Sequence, residues 1–513
     1  MRGKRSRLIG TTAAAVAVSL LLSGCVSWFL PPQSSETSTP TGEAVAAELE
    51  RFYQQTLEWS SCGDALQCAT AIAPMDWENP QGDTIELALV RQTARGSDSI
   101  GSLLVNPGGP GGSGFDFIAD SVDYATSEAL QSQFDVVGFD PRGVNRSTAV
   151  SCYSDPAELD DYIYGLLPGE RGSDEWIAAS TDASAQFAQR CLEETGPFLG
   201  FVDTPSAARD LDMLRAALGD TSLNYLGYSY GTLLGQVYAE LFPDKTGRLV
   251  LDGAVDPEAS EFEATKAQAQ GFERALNAFL EDCAGATDCP FDGSIQESRS
   301  TIRTLLDRLD KSPLTNGDGR KLGSGTMFTA IILPLYSQNN WAYLRQLFSS
   351  VMAGDASIAF DLADSYNGRS PDGTYSENQT EAFIAINCLD ARDPADNARM
   401  REQAAELALA APVFGPQMSF GDPGCATWPV EPKRERVAIS AVGAADILVI
   451  GTTNDPATPY EWAETVAANL ESGHLITYNG EGHTAYNKSN ECVNEAVEDF
   501  LLEGVVPSAD PNC

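Results

Sequence analysis

Among the 513 residues, the group best suited to covalent chemistry is a serine framed by glycines: Gly227-Tyr228-Ser229-Tyr230-Gly231 fits G-x-S-x-G. It falls where a predicted strand, Leu223 to Gly227, meets a predicted helix, Tyr230 to Leu241. A sharp strand-to-helix turn needs small flanking residues to expose the serine oxygen, and the helix that follows favours negative charge at its start. The Tyr230 N–H would then face a developing oxyanion. A second donor is expected from Asn106-Pro107-Gly108-Gly109-Pro110-Gly111-Gly112-Ser113-Gly114, a loop that follows a strand and whose backbone can approach a substrate closely. Gly109 is the residue chosen for it. As a phosphate cradle the loop lacks the Lys and Ser/Thr of a Walker sequence and the spacing of a dinucleotide fingerprint.

A serine nucleophile needs a base, and the base needs an acid to hold it. Only two histidines exist. His474 heads a predicted strand and reads as structural or surface; His483, in Gly480-Glu481-Gly482-His483, lies in the loop after that strand, where catalytic groups collect in parallel sheets. Asp455, in Asn454-Asp455-Pro456-Ala457-Thr458-Pro459, also sits just past a strand end, 28 residues before His483. That is close to one strand-helix-strand step, so the two can emerge side by side. In the plainer alternative Asp455 shapes a turn before Pro456 and Thr458 caps a helix.

These groups require a βα scaffold, and the chain supplies one. Thr84 to Gln92, Ser102 to Val105, Phe134 to Phe139, Arg248 to Leu251, Asp446 to Ile450 and Leu475 to Tyr478 are short, apolar and bounded by turn residues. Ala44 to Trp59 has helical spacing, and Thr204-Pro205 can open a helix that Gly219 stops. The expected fold is α/β: an α/β-hydrolase core with a mostly parallel, doubly wound sheet. Between 258 and 425 the alternation gives way to Ala-, Glu- and Leu-rich helical text, read as an inserted helical cap between a first core part, 44–257, and a last one, 426–513.

The composition narrows the setting. A formal charge of −41 leaves no basic surface able to follow a phosphate backbone, which excludes nucleic acid as a partner. Residues 1–24 combine Arg2, Lys4, Arg5 and Arg7 with an apolar run from Leu8 to Leu22, too short to span a bilayer, and read as a signal peptide. Leu22-Ser23-Gly24-Cys25 resembles a lipobox, which makes Cys25 a lipid anchor holding the exported protein on the outer face of the cell membrane. Residues 25–43, with the Pro/Ser/Thr-rich stretch Pro31 to Glu43, read as a flexible tether. The other ten cysteines are an even number in an oxidising space. Proximity suggests Cys62–Cys68, Cys152–Cys191, Cys283–Cys289, Cys388–Cys425 and Cys492–Cys513. With two histidines, a metal centre is not expected.

The glycine loop, Asp140-Pro141-Arg142-Gly143-Val144-Asn145-Arg146-Ser147, Gly227 to Gly231, Leu249 to Gly253, Ile386-Asn387-Cys388-Leu389-Asp390, Asp455 to Pro459 and Gly482-His483 together resemble the secreted bacterial tripeptidyl aminopeptidases. These are serine α/β-hydrolases related to proline iminopeptidases, and the similarity covers about residues 60–513. The resemblance implies a cofactor-free serine exopeptidase that removes short peptides from free N-termini, with Ser229 as nucleophile, Asp455 as orienting acid and His483 as base. Pro107 stands where the iminopeptidases usually have His. An envelope esterase or lipase would use the same triad, whereas a non-enzymatic binding lipoprotein would need none of it. An exopeptidase must also recognise the substrate's α-ammonium, and Asp390, in the inserted region, is the expected carboxylate.

Overall fold

The computed structural model describes residues 36–513 except 64 and 98, so the signal peptide, Cys25 and the first part of the tether lie outside the described residues. Among those described, ten strands form one sheet: β1 (Glu36–Thr37), β2 (Glu58–Gly63), β3 (Leu66–Pro74), β4 (Thr84–Gln92), β5 (Gly101–Asn106), β6 (Phe134–Phe139), β7 (Leu223–Tyr228), β8 (Thr246–Asp252), β9 (Ile447–Asn454) and β10 (Gly473–Glu481). The spatial order is β1-β2-β3-β4-β6-β5-β7-β8-β9-β10. From β6 to β10 every pairing is parallel, and β1 to β4 form an antiparallel wing that joins at β4–β6.

The parallel strands are apolar on both faces because both faces are covered. Successive residues alternate between two cores: Leu104, Val137, Tyr225, Leu249 and Val449 pack on one side, while Leu103, Val136, Leu226, Val250 and Leu448 pack on the other. Helix α1 (Gly114–Ala125) covers the second face, and α2 (Thr204–Leu218) and α3 (Tyr230–Leu241) cover the first. Helix α2 is capped by the Asp203 side chain, one residue ahead of the expected Thr204, and ends at Gly219 in the left-handed conformation.

The region between β8 and β9 is mostly helical, with one short hairpin of Leu314–Thr315 and Lys321–Leu322, and it is not one body. Helices α4 (Glu261–Ala284) and α5 (Ser324–Leu335) build a separate core with residues such as Leu305, Leu344 and Phe348. Helix α6 (Gln379–Asp390) instead buries Ala382, Ala385, Ile386 and Leu389 in the main core, where the Cys388–Cys425 bridge ties it down.

Two expectations are corrected at the N-terminal side. Of Ala44 to Trp59, only Glu50–Tyr53 is helical, and the chain is already in β2 from Glu58 because Trp59 is needed in the core. The tether does not extend through residue 43. Glu36–Thr37 pairs with Glu58 and Trp59 at the sheet edge, and the Glu43 carboxylate reaches Arg215 at 2.7 Å and Lys245 at 3.2 Å. The reason is electrostatic: the Arg215 guanidinium is fully buried and needs a second carboxylate besides Asp212. The five expected disulfides are all present. No helix among the described residues is long and apolar enough to cross a membrane.

Candidate active site

Ser229 sits at the junction of β7 and α3 with φ +54° and ψ −124°, a backbone state costing on the order of 1–3 kcal/mol that the surroundings must enforce. They do so from both sides. The Ser229 N–H donates to the Asp252 carbonyl at the end of β8 (2.9 Å), and its own carbonyl accepts from the Thr232 N–H and hydroxyl. The flanking glycines are sterically required: a Cβ at Gly227 would lie 2.5 Å from the Gly231 carbonyl, and one at Gly231 would lie 2.8 Å from Asn106 Oδ1.

Asp455 is fully buried at the end of β9 and saturated with donors. Its Oδ1 accepts from the Ala457 and Thr458 N–H groups at 2.8 and 2.9 Å; its Oδ2 accepts from the Thr458 hydroxyl at 3.0 Å and the Thr484 N–H at 3.1 Å. His483 Nδ1 lies 3.0 and 2.9 Å from the two oxygens. An acceptor-only carboxylate assigns the proton to Nδ1 and leaves the Nε2 lone pair available as a base. The inserted helices fix the ring from above, since the His483 N–H donates to the Tyr336 carbonyl (2.8 Å) and the Tyr336 ring lies 5.4 Å away. On the same side, Gly271 of α4 leaves no room for a side chain, its Cβ position being 2.6 Å from the Pro456 carbonyl.

The Asp252-Gly253 segment touches both the serine turn and the histidine. Gly253 follows the Asp252 carbonyl that holds Ser229, and a Cβ on Gly253 would stand 3.4 Å from His483 Cε1. Asp252 itself fastens the loop after the histidine, accepting from the Ala485 and Tyr486 N–H groups at 2.8–3.0 Å. Lys488 lies over the Tyr124 and Tyr228 rings and donates to Thr484; burial pulls its ammonium down to about 8.

The glycine loop closes the opposite wall. A Cβ on Gly108 would fall 2.9 Å from Ser229 Cβ and 3.1 Å from Tyr230 N. The Gly108 N–H is taken by Asn106 Oδ1, but the N–H groups of Gly109 and Tyr230 have no hydrogen-bond partner among the described residues. Gly111 packs on α6, where a Cβ would lie 2.8 Å from the Gln379 carbonyl. The Asp140 to Ser147 motif is structural: Arg142 is fully buried, bonds both oxygens of Asp210 at 2.7 Å, and also reaches the carbonyls of Pro74, Met75 and Phe201.

Asp390 is not the free carboxylate expected on the cleft wall. It is 5% exposed, and both oxygens are engaged by Thr204, one by the N–H at 2.8 Å and one by the hydroxyl at 2.5 Å. The Thr204 hydroxyl in turn meets the Tyr230 hydroxyl at 2.5 Å, so Asp390 steadies the ring of the residue after Ser229. Burial pushes its carboxyl up to about 6 against the pull of Arg434 and the Thr204 bonds. His474 pairs with Asp446 at 2.8 Å on the surface, away from these groups. The helix after Asp455 takes Pro459 as its cap, so Thr458 is freed for Asp455, with its hydroxyl also 3.3 Å from His483 Nδ1. Gly271 and Tyr336 carry no sequence pattern of their own, while Asp252 and Thr458 lie inside recognised motifs that gave neither of them a catalytic role.

The family model of the TAP-like proteins matches residues 411–513. Serine protease Hip1 of Mycobacterium tuberculosis is 36% identical over 534 residues, covering 100% of this chain and 99% of the relative. Carboxylesterase B of the same organism is 36% identical over 518 residues, with 98% of each chain covered. A tripeptidyl aminopeptidase of Streptomyces lividans is 30% identical over 533 residues, covering 99% of this chain and 97% of that one.

Proposed function

Because the chain belongs to the TAP-like, tripeptidyl aminopeptidase-related family of serine α/β-hydrolases, we propose that it releases short peptides, tripeptides in particular, from free N-termini through an acyl-enzyme. His483 Nε2 removes the Ser229 proton as the oxygen attacks the scissile carbonyl, and Asp455 holds the imidazole and offsets its charge. The oxyanion rests between the N–H groups of Gly109 and Tyr230. His483 then passes the proton to the departing amine and activates the water that frees the peptide, returning Ser229 to its starting state. The route runs on the chain's own side chains and backbone N–H groups together with water.

The observation that carries this reading is the His483–Asp455 pair, with Nδ1 within 3.0 Å of both carboxylate oxygens beside a serine held at positive φ. Five disulfides suit an exported enzyme. A lipid on Cys25 would keep it at the outer membrane surface. An esterase reading has one observation behind it, the relative named carboxylesterase. Rates on a tripeptide arylamide, its N-acetyl derivative and a short aryl ester separate the two. The free arylamide should exceed the acetylated one in kcat/KM by at least about tenfold, the loss of roughly 1.4 kcal/mol of charge-assisted contact. Ser229→Ala and His483→Gln should each remove turnover by orders of magnitude, and His474→Gln should be tolerated. Equal rates on blocked and free arylamides, with a faster ester, would move the assignment to the esterase.

A further inference from the structure

With Asp390 committed to Thr204, the proposed exopeptidase still needs a group for the substrate's α-ammonium, and a cavity beside the glycine loop holds one. A space of about 310 Å³ is bounded by Gly108 and Gly109, by Asp116 and Phe117 of α1, and by Glu377 and Gln379 at the entry to α6. A second space of about 300 Å³ lies beyond, among Asn145, Tyr153 and Tyr375, and Glu377 is the one residue lining both.

Three of the carboxylates around it already hold donors of the chain. Asp116 bonds Arg146 at 2.7 Å and Asn145 at 2.9 Å; Asp140 accepts from Ser113 at 2.6 Å; Glu381 accepts from the Cys152 and Tyr153 N–H groups at 2.6 and 3.1 Å. Glu377 is half-buried, and no hydrogen bond or ion pair to another described residue involves its carboxylate. Burial and the nearby Asp116, Asp140 and Asp120 push its carboxyl up against the pull of Arg146, and these acidic surroundings are ones that a bound cation would offset.

Resting on the aminopeptidase reading, we propose that Glu377 receives the α-ammonium of the substrate's first residue while the scissile carbonyl lies at Gly109. An acceptor fixed in the space that Gly108 and Gly109 also line then measures the length of the released fragment, and an ammonium paired with a half-buried carboxylate is a strong, short contact. Blocking the amine removes that contact and leaves the carboxylate without a partner.

The test compares free, N-acetyl and N-succinyl tripeptide arylamides on the wild type, Glu377→Gln, Glu377→Asp and Glu377→Lys. In the wild type the free substrate should lead by about tenfold or more. Glu377→Gln should reduce that lead to within about threefold, chiefly by raising KM for the free substrate, Glu377→Asp should keep most of it, and Glu377→Lys should turn preference toward the succinyl carboxylate. A change of preference with charge sign is something a destabilised fold cannot produce. A wild type indifferent to blocking would overturn the aminopeptidase reading itself. A selective wild type whose preference survives in both the Gln and Lys variants would overturn the role of Glu377 alone.

Discussion

The Asp390 carboxyl offers a quantitative check on how the buried network beneath Tyr230 is built. Its value rises from 3.8 to about 6 on folding, chiefly through desolvation. Because the folded-state value lies above the unfolded one, its favourable contribution is complete below pH 3.8 and is lost as the pH rises through 6. A rise of that size corresponds to about 3 kcal/mol in all, of which about 2 kcal/mol falls between pH 4 and pH 7. Asp390→Asn cannot ionise, yet it keeps an oxygen for the Thr204 N–H and offers an amide donor to the Thr204 hydroxyl, which can turn its own proton to Tyr230. Urea unfolding of both proteins from pH 4 to pH 7 isolates this residue, since the other titrating groups cancel in the difference. The Asn variant should gain on the wild type by about 2 kcal/mol across that range. A difference that stays flat with pH, or one that moves in the wild type's favour, would refute the assignment of the strained carboxyl to Asp390.

Other outcomes follow from the same geometry. Gly108→Ala sets a Cβ 2.5 Å from the Tyr228 carbonyl and 2.9 Å from Ser229 Cβ at φ +98°; it should lower stability by about 1–3 kcal/mol and kcat by roughly a hundredfold, whereas Gly325→Ala, with nothing within 4 Å, should leave Tm and kcat unchanged. Thr458→Val removes one hydroxyl from Asp455 while keeping the shape and the backbone donors; kcat should fall by about tenfold or more with KM little altered, and an unchanged kcat would return Thr458 to a purely structural role.

The strands of the parallel sheet could be read from sequence because burial on both faces leaves continuous apolar runs, and the elbow because its glycines are sterically obligatory. The expected cysteine pairs form because each joins neighbours in the chain or adjoining elements. What escaped has a common cause: the signal lies in a partner distant in sequence. Residues 36–43 are polar and Thr-rich, and their order comes from Trp59, Arg215 and Lys245. Asp390 sits in an acidic, cap-like text, but its neighbours Ile386 and Leu389 belong to the main core, which carries the carboxylate inward to Thr204. Thr458 before Pro459 looks like any helix cap until Asp455 is known to be beside it.

The divided insertion bears on how such enzymes can be recombined. Exchanging residues 258–425 as one block would discard α6, and with it the surface against which Gly111 rests and the carboxylate that steadies Tyr230. The unit with a core of its own is discontinuous, because the helices from α4 to about residue 366 pack with Leu407, Val413 and Phe414 beyond α6. Two of the places where that unit is keyed to its host touch the loops of Asp455 and His483: a transplant must present a residue without a side chain where Gly271 meets Pro456, and a backbone carbonyl where Tyr336 receives the His483 N–H. New specificities can therefore be grafted onto this chassis only by donors that carry both fittings.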